Sequence, residues 1–288
     1  MDPGTAAGVT DEGKGRSDGH KHWHRARLAP KWGGMRPSQQ RQIIRVIDLE
    51  TTGQAPPTHA VCEIGWQDVA LGADGRWEID GEGGATLVNP GRSIPPLTMA
   101  VHHIRDEDVA DAPWFIDVAR PALDPWPRRV ALAAHRADFE QQYCTASLTK
   151  GAEWICTWKC AMRAWPDVPG FSNQMLRYWR KPEGLVHERG LPVHRAYPDA
   201  YVTAFLLRDL LNEFGVQQLI EWSRLPGLLP RVRFGPDRGK EWHEIGEDSL
   251  TGFLGDRDPD VRYTAEQEMA RRRGNMPPPR EPRERLLL

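Results

Sequence analysis

The sequence predicts an α/β fold with a small carboxy-terminal module. Three observations carry that prediction. Apolar β-branched runs are mixed with helical stretches, acids stand where those runs end, and Pro226, Gly227 and Pro230 set off a last polar stretch. At 288 residues the chain exceeds what one compact domain usually needs, and its 39% hydrophobic content with 12 Trp is enough for a sizeable core. A formal net charge of −2 provides no global basic field, so a site for a polyanion has to be local or has to use metal ions.

Residues 1–40, rich in Gly, Pro, Ser and charge, read as a disordered leader whose "HKHWHR" is a solvated tail. Order is expected from Gln42. The run Ile43-Ile44-Arg45-Val46-Ile47 followed by Thr-Thr-Gly reads as strand then turn. "AVCEIGWQDVAL" and "ATLVNP" read as strands, with the Gly-rich "DGEGG" between or beside them, and residues 93–113 as loop and short helix. A helical stretch follows around Trp114–Leu123, then "RRVALAAH" as a buried strand ending at His135. Residues 138–148 and 172–180 look helical. "YPDAYVTAFLLRDLLNEFG" is the clearest helix, with Tyr201, Ala204, Phe205 and Leu211 at helical spacing and Gly215 as its stop. These readings divide the chain into a domain at 41–215, a linker at 216–230, a module at 231–275 and a frayed tail at 276–288.

The four cysteines, Cys62, Cys144, Cys156 and Cys160, are too sparse for a disulfide scaffold, and the Cys156–Cys160 pair lacks a second pair at zinc-ligand spacing. No stretch is apolar enough to span a membrane or serve as a signal-peptide core, so a soluble cytoplasmic protein is expected.

Chemistry concentrates in three stretches. In "VIDLETTG" strand alternation points Asp48 and Glu50 the same way, with Leu49 in the opposite layer. Like charges held together at the end of a buried strand are costly unless neutralised, and a hard divalent cation does that well. "LAAHRADFE" carries Asp138 and Glu140 where another strand meets a helix, and "VHRAYPDAYVTA" places His194 five residues before Asp199 at the start of the clearest helix. Such edges are where α/β folds put active sites. Taken singly, His194 reads as a surface histidine and Asp199 as a favourable helix N-terminal acid; Thr51 and Thr52 read as turn residues. Trp154, Trp158, Trp165 and Trp179 read as core, with base stacking as the alternative.

In order, the three stretches resemble the motifs of the DEDDh-class 3′→5′ exonucleases, relatives of the epsilon subunit of bacterial DNA polymerase III. "VHHIRDEDV" resembles the segment between the first two motifs, with His102 and His103 near the terminal nucleotide, and residues 42–212 are covered. "RFGPDRGKEWHEI", "DSLTGFL" and "DVRYTAEQEM" together resemble the carboxy-terminal module of exodeoxyribonuclease X-like members, in which Arg231, Arg233, Arg238 and Lys240 are candidates for nucleic-acid contact. The resemblance implies a ribonuclease H-like mixed sheet with flanking helices, and two divalent cations, Mg²⁺ or Mn²⁺, on Asp48, Glu50, Glu140 and Asp199. It also implies His194 as general base and hydrolysis that releases nucleoside 5′-monophosphates. The second motif departs from the usual His-Asn-x-x-Phe-Asp: Arg136 replaces Asn, and the register of His135 and Phe139 puts Glu140 at the final acid, with Asp138 as the alternative. The implied substrate is nucleic acid with a free 3′ end, DNA favoured over RNA, with a polymerase or repair partner left open. Two rival readings remain, an RNA-trimming exonuclease and a degenerate module that binds nucleic acid or a polymerase without cutting.

Overall fold

The computed structural model describes residues 41–123 and 129–274, so the expected leader and tail lie outside the described residues. Among the described residues, five strands form one sheet in the order β3-β2-β1-β4-β5. Strands β1 (Ile43–Thr51), β2 (Val61–Leu71) and β3 (Trp77–Leu87) make an antiparallel meander. On the other side of β1, strands β4 (Arg129–Ala134) and β5 (Trp154–Cys156) run parallel to it. Helices α1 (Pro96–His102) and α2 (Asp106–Val109) follow β3, and helices cover both faces of the sheet, which is the ribonuclease H-like arrangement the sequence implied.

Alternation along β1 decides what each face holds. Ile44 and Val46 join the larger core with α8 (Ala196–Phe214), while Ile47 and Leu49 join a second core with α3 (Phe115–Leu123). Helix α8 is buried nearly all round, from Ala200 and Val202 through Leu206, Leu207 and Leu210. Each of these fully buried Val and Leu side chains contributes about 1.5–3 kcal/mol. Gly215, at φ 75°, ends the helix.

Three expectations need correction. The Gly-rich "DGEGG" lies inside β3: Gly83 passes so close to β2 that an added Cβ would meet the Trp66 carbonyl oxygen at 2.5 Å. The helix expected at 138–148 is two short ones, α4 (Glu140–Tyr143) and α5 (Ala146–Thr149), because Cys144 leaves helical geometry at φ −89° and ψ 68°. Strand β5 and helix α6 (Thr157–Ala164) were not expected at all.

Beyond α7 (Asn173–Arg180) and α8, the stretch read as a linker begins with a helix, α9 (Val216–Arg224). The next segment includes α10 (Glu247–Phe253) and α11 (Pro259–Arg272). Leu229, Val232, Trp242, Leu250 and Val261 pack with Trp158 and Met162 of α6 in one shared cluster. Gly227 N–H donates to Asp260 Oδ1 at 2.6 Å, and Leu229 N–H to Thr264 Oγ1 at 3.0 Å, so α11 holds the entry to this segment. Among the described residues no helix is long and apolar enough to cross a membrane.

Candidate active site

Asp48 and Glu50 continue the row that Ile44 and Val46 begin on β1. Where the apolar residues meet the body of α8, the acids meet its first turn, which carries Asp199. One carboxylate oxygen from each of Asp48, Glu50 and Asp199 lies within 4.8 Å of the others.

Two features of β2 set that approach. Gly65 is paired with Asp48 across the ladder, and an added Cβ there would come within 2.2 Å of the Ala196 carbonyl carbon. Only glycine lets the start of α8 lie this close to the sheet. Glu63, paired with Glu50, is buried and accepts the Ala196 N–H at 3.0 Å and two Arg195 bonds at 2.6 and 2.9 Å. A carboxylate from a neighbouring strand thus caps α8, whose own N-cap side chain makes no capping bond.

Electrostatically the cluster is frustrated. At an effective dielectric of about 20, two full charges about 5 Å apart repel by roughly 3 kcal/mol. Burial, then the charges of Asp199, Glu50, Glu140 and Glu63, push Asp48 well above the carboxylate range. Burial and Asp199 push Glu50 to about 8, against the opposing pull of Arg195. Asp199 is raised by burial, although the His194 N–H (2.7 Å) and Gln174 (3.3 Å) bond its carboxylate. Each group therefore favours a proton or a cation as its partner.

The second motif separates its two acids. Asp138 is exposed and pairs with Lys159 at 2.9 Å. Glu140 is buried, is driven to about 8 mainly by burial, and has an Oε2 with no hydrogen-bond partner among the described residues. It lies outside the set of three but close enough to raise Asp48. His135 is held by the Phe171 carbonyl at 2.8 Å and Thr157 at 3.0 Å, and burial pushes it down to about 4, so it stays neutral at pH 7.

Two left-handed residues border the site, Arg136 at φ 69° and His194 at φ 59°. That conformation costs a non-glycine residue about 1 kcal/mol or more. Both line a cavity of about 850 Å³ that also reaches Asp48, Asp199, Trp158 and, from the carboxy-terminal segment, Arg231 and Arg233.

The donor set suits hard divalent cations: three convergent carboxylates of raised proton affinity and a fourth with an orphaned buried oxygen. Residues 46–207 match the family model described as Exonuclease. The chain belongs to the exonuclease family. It is accordingly a 3′→5′ exonuclease, a hydrolase. This exonuclease is 34% identical over 215 residues to Exodeoxyribonuclease 10 of Escherichia coli (strain K12), spanning 71% of its own length and 86% of the relative. It is 27% identical over 177 residues to the DNA polymerase III subunit epsilon of Treponema pallidum (strain Nichols), covering 59% of this chain and 77% of that one. Among solved structures it is similar to Exonuclease X in complex with 5′ overhanging duplex DNA, at 34% identity and a TM-score of 0.48, covering 62% of this chain and 99% of the other.

His102, the cysteines and the tryptophans singled out in the sequence are packed within the protein. His102 is buried, accepts the Ile104 N–H at 3.0 Å and is lowered by burial. All four cysteines are free and buried, and among the described residues no cysteine joins a metal-like cluster. Trp158 and Trp165 are core residues, with Trp154 and Trp179 packed against the cores. Sequence reasoning missed Glu63 and Arg195. The one signal was an acid inside the apolar run "VCEIGW", whose partner lies 132 positions away.

Proposed function

We propose that this exonuclease shortens DNA from a free 3′ end, one nucleoside 5′-monophosphate at a time. The observation that carries the reading is the convergence of Asp48, Glu50 and Asp199 within 4.8 Å. Those residues and Glu140 hold two divalent cations, Mg²⁺ or Mn²⁺, in this reading. Such cations, when bound, supply Lewis acidity and charge neutralisation at a phosphodiester.

The chain's own groups do the rest. His194, exposed at the cavity mouth and anchored through its backbone N–H to Asp199, takes the proton from the attacking water. Glu63 and Arg195 fix the first turn of α8, so that Asp199 and His194 keep their places relative to β1. Glu140 provides the carboxylate of the second motif, one methylene longer than Asp; burial and the unpartnered Oε2 support it over Asp138, which Lys159 already occupies. DNA as substrate is supported by the similarity to an exodeoxyribonuclease over most of both chains.

The test is digestion of 5′-labelled single-stranded DNA and matched RNA with Mg²⁺, Mn²⁺ or chelator. A ladder shortening from the 3′ end of DNA, absent with chelator and with Asp48→Ala, is the expected result. Faster cutting of RNA would move the substrate to RNA, and intact strands of both kinds under every condition would overturn the reading.

A further inference from the structure

The cavity is lined by two chemically opposite groups of side chains: Asp48, Asp199 and His194, and Arg136, which lies just beyond β4, with Arg233 from the carboxy-terminal segment. Both guanidiniums lie over the indole of Trp158, at 4.2 Å for Arg136 and 5.3 Å for Arg233. Trp158 itself is buried, so its ring is a fixed platform. Stacking uses the face of a guanidinium and leaves its N–H edge free to donate. Neither side chain makes a hydrogen bond or an ion pair with another described residue, whereas neighbouring Arg231 is paired with Glu241 at 2.9 Å.

Two guanidiniums on one ring concentrate positive charge, and a bound anion offsets their repulsion. Arg136 is also held in a left-handed backbone conformation, an unfavourable geometry for a long side chain that needs a compensating gain. Packing alone explains the indole but leaves unexplained two exposed, unpaired cations on the same ring. Phosphate oxygens fit the free N–H edges of a guanidinium in bidentate fashion. This also answers the charge question raised by the composition. A chain of net charge −2 carries its attraction for a polyanion inside one cavity.

We propose that Arg136 and Arg233, stacked on Trp158, grip the phosphodiester backbone of the strand behind the nucleotide whose 3′ end lies at the carboxylates. The placement of that end rests on the exonuclease reading above; the grip itself does not need turnover. The carboxy-terminal segment thereby forms part of the substrate channel.

The test is binding of a short 5′-labelled single-stranded DNA to the full chain, followed by fluorescence anisotropy against salt concentration, with chelator present so that the strand stays whole. Arg136→Gln and Arg233→Gln each weaken binding roughly fivefold at about 0.1 M salt and lower the salt slope by about 0.7; the double variant lowers it by about 1.4. Arg76→Gln, at the β2–β3 turn outside the cavity, leaves both unchanged, and Arg233→Lys keeps most of the slope. Melting curves verify that each variant is folded. If the double variant binds like wild type, or wild type does not bind, the grip is overturned, even in a protein that degrades DNA once metal is added. A lowered slope in a protein that degrades neither DNA nor RNA supports the grip and overturns the exonuclease reading instead.

Discussion

Two acidic centres of similar burial behave in opposite ways. Asp199 is 9% exposed and Glu268, on α11, is 7% exposed. Asp199 joins Asp48 and Glu50 in a group raised by burial and mutual repulsion. Burial also pushes Glu268 up, but Arg271 at 2.6 and 2.7 Å and Arg272 at 2.8 Å outweigh it and hold the carboxyl below its usual range. Arg272 then donates to the carbonyls of Trp242 and Ile245, tying α11 to the turn beside it. The difference lies in who supplies the cation. At Glu268 the chain supplies its own and gains stability; at Asp48 it supplies none, and the deficit is what a metal would fill.

Asp48→Ala separates the two centres most strongly. Cleavage should fall by about a thousandfold or more, while the variant melts higher than wild type in chelator because the repulsion is gone. A fall in both, measured by oligonucleotide digestion and thermal melting, would make Asp48 an ordinary structural acid. Glu63→Gln weakens the hold on Arg195 and Ala196 and should lower cleavage roughly 10–100-fold, with Mg²⁺ affinity falling alongside. Unchanged metal affinity would break the link between the α8 cap and the carboxylates.

pH separates the two centres by sign. Glu50 and Glu140, raised to about 8 in the folded state, bind more protons there than in the unfolded chain. Their stabilisation is complete below the ordinary glutamate value and is lost as pH rises through about 8, so the metal-free protein should weaken over that window. Saturating Mg²⁺ should remove the loss, and denaturant titrations across pH with and without the ion check it. Glu268, held low, contributes in the other direction, losing its effect as pH falls through its depressed value. Glu268→Gln should cost about 1–3 kcal/mol with cleavage unchanged. Smallest of all, Asp138→Asn removes an exposed partner of Lys159 and should cost about 0–1 kcal/mol, with cleavage within about twofold of wild type. A large loss of activity there would reassign the second-motif acid.

Range decides which features the sequence revealed and which it hid. Strand alternation in "VIDLETTG" put Asp48 and Glu50 on one side, and helical spacing found α8, because both signals are local. Strand β5 is three residues long, too short to leave a periodic trace, and the alternation of "DGEGG" is masked by residues that also make turns. The separation of Asp138 from Glu140 depends on Lys159, and the caps on Asp199 and α8 depend on Gln174 and Glu63. The pairing of Arg136 with Arg233 exists only through Trp158. None of these contacts has a local signature, since the partners meet only once the sheet is assembled.

The spread of the carboxylates along the chain has a consequence during synthesis. A ribosome releases about 5–20 residues per second, amino end first. Asp48 and Glu50 emerge long before α8 brings Asp199, and Arg233 comes later still. Until α8 seats against Gly65, Asp199 is not beside them, so the three carboxylates converge only after the chain has been made at least as far as α8.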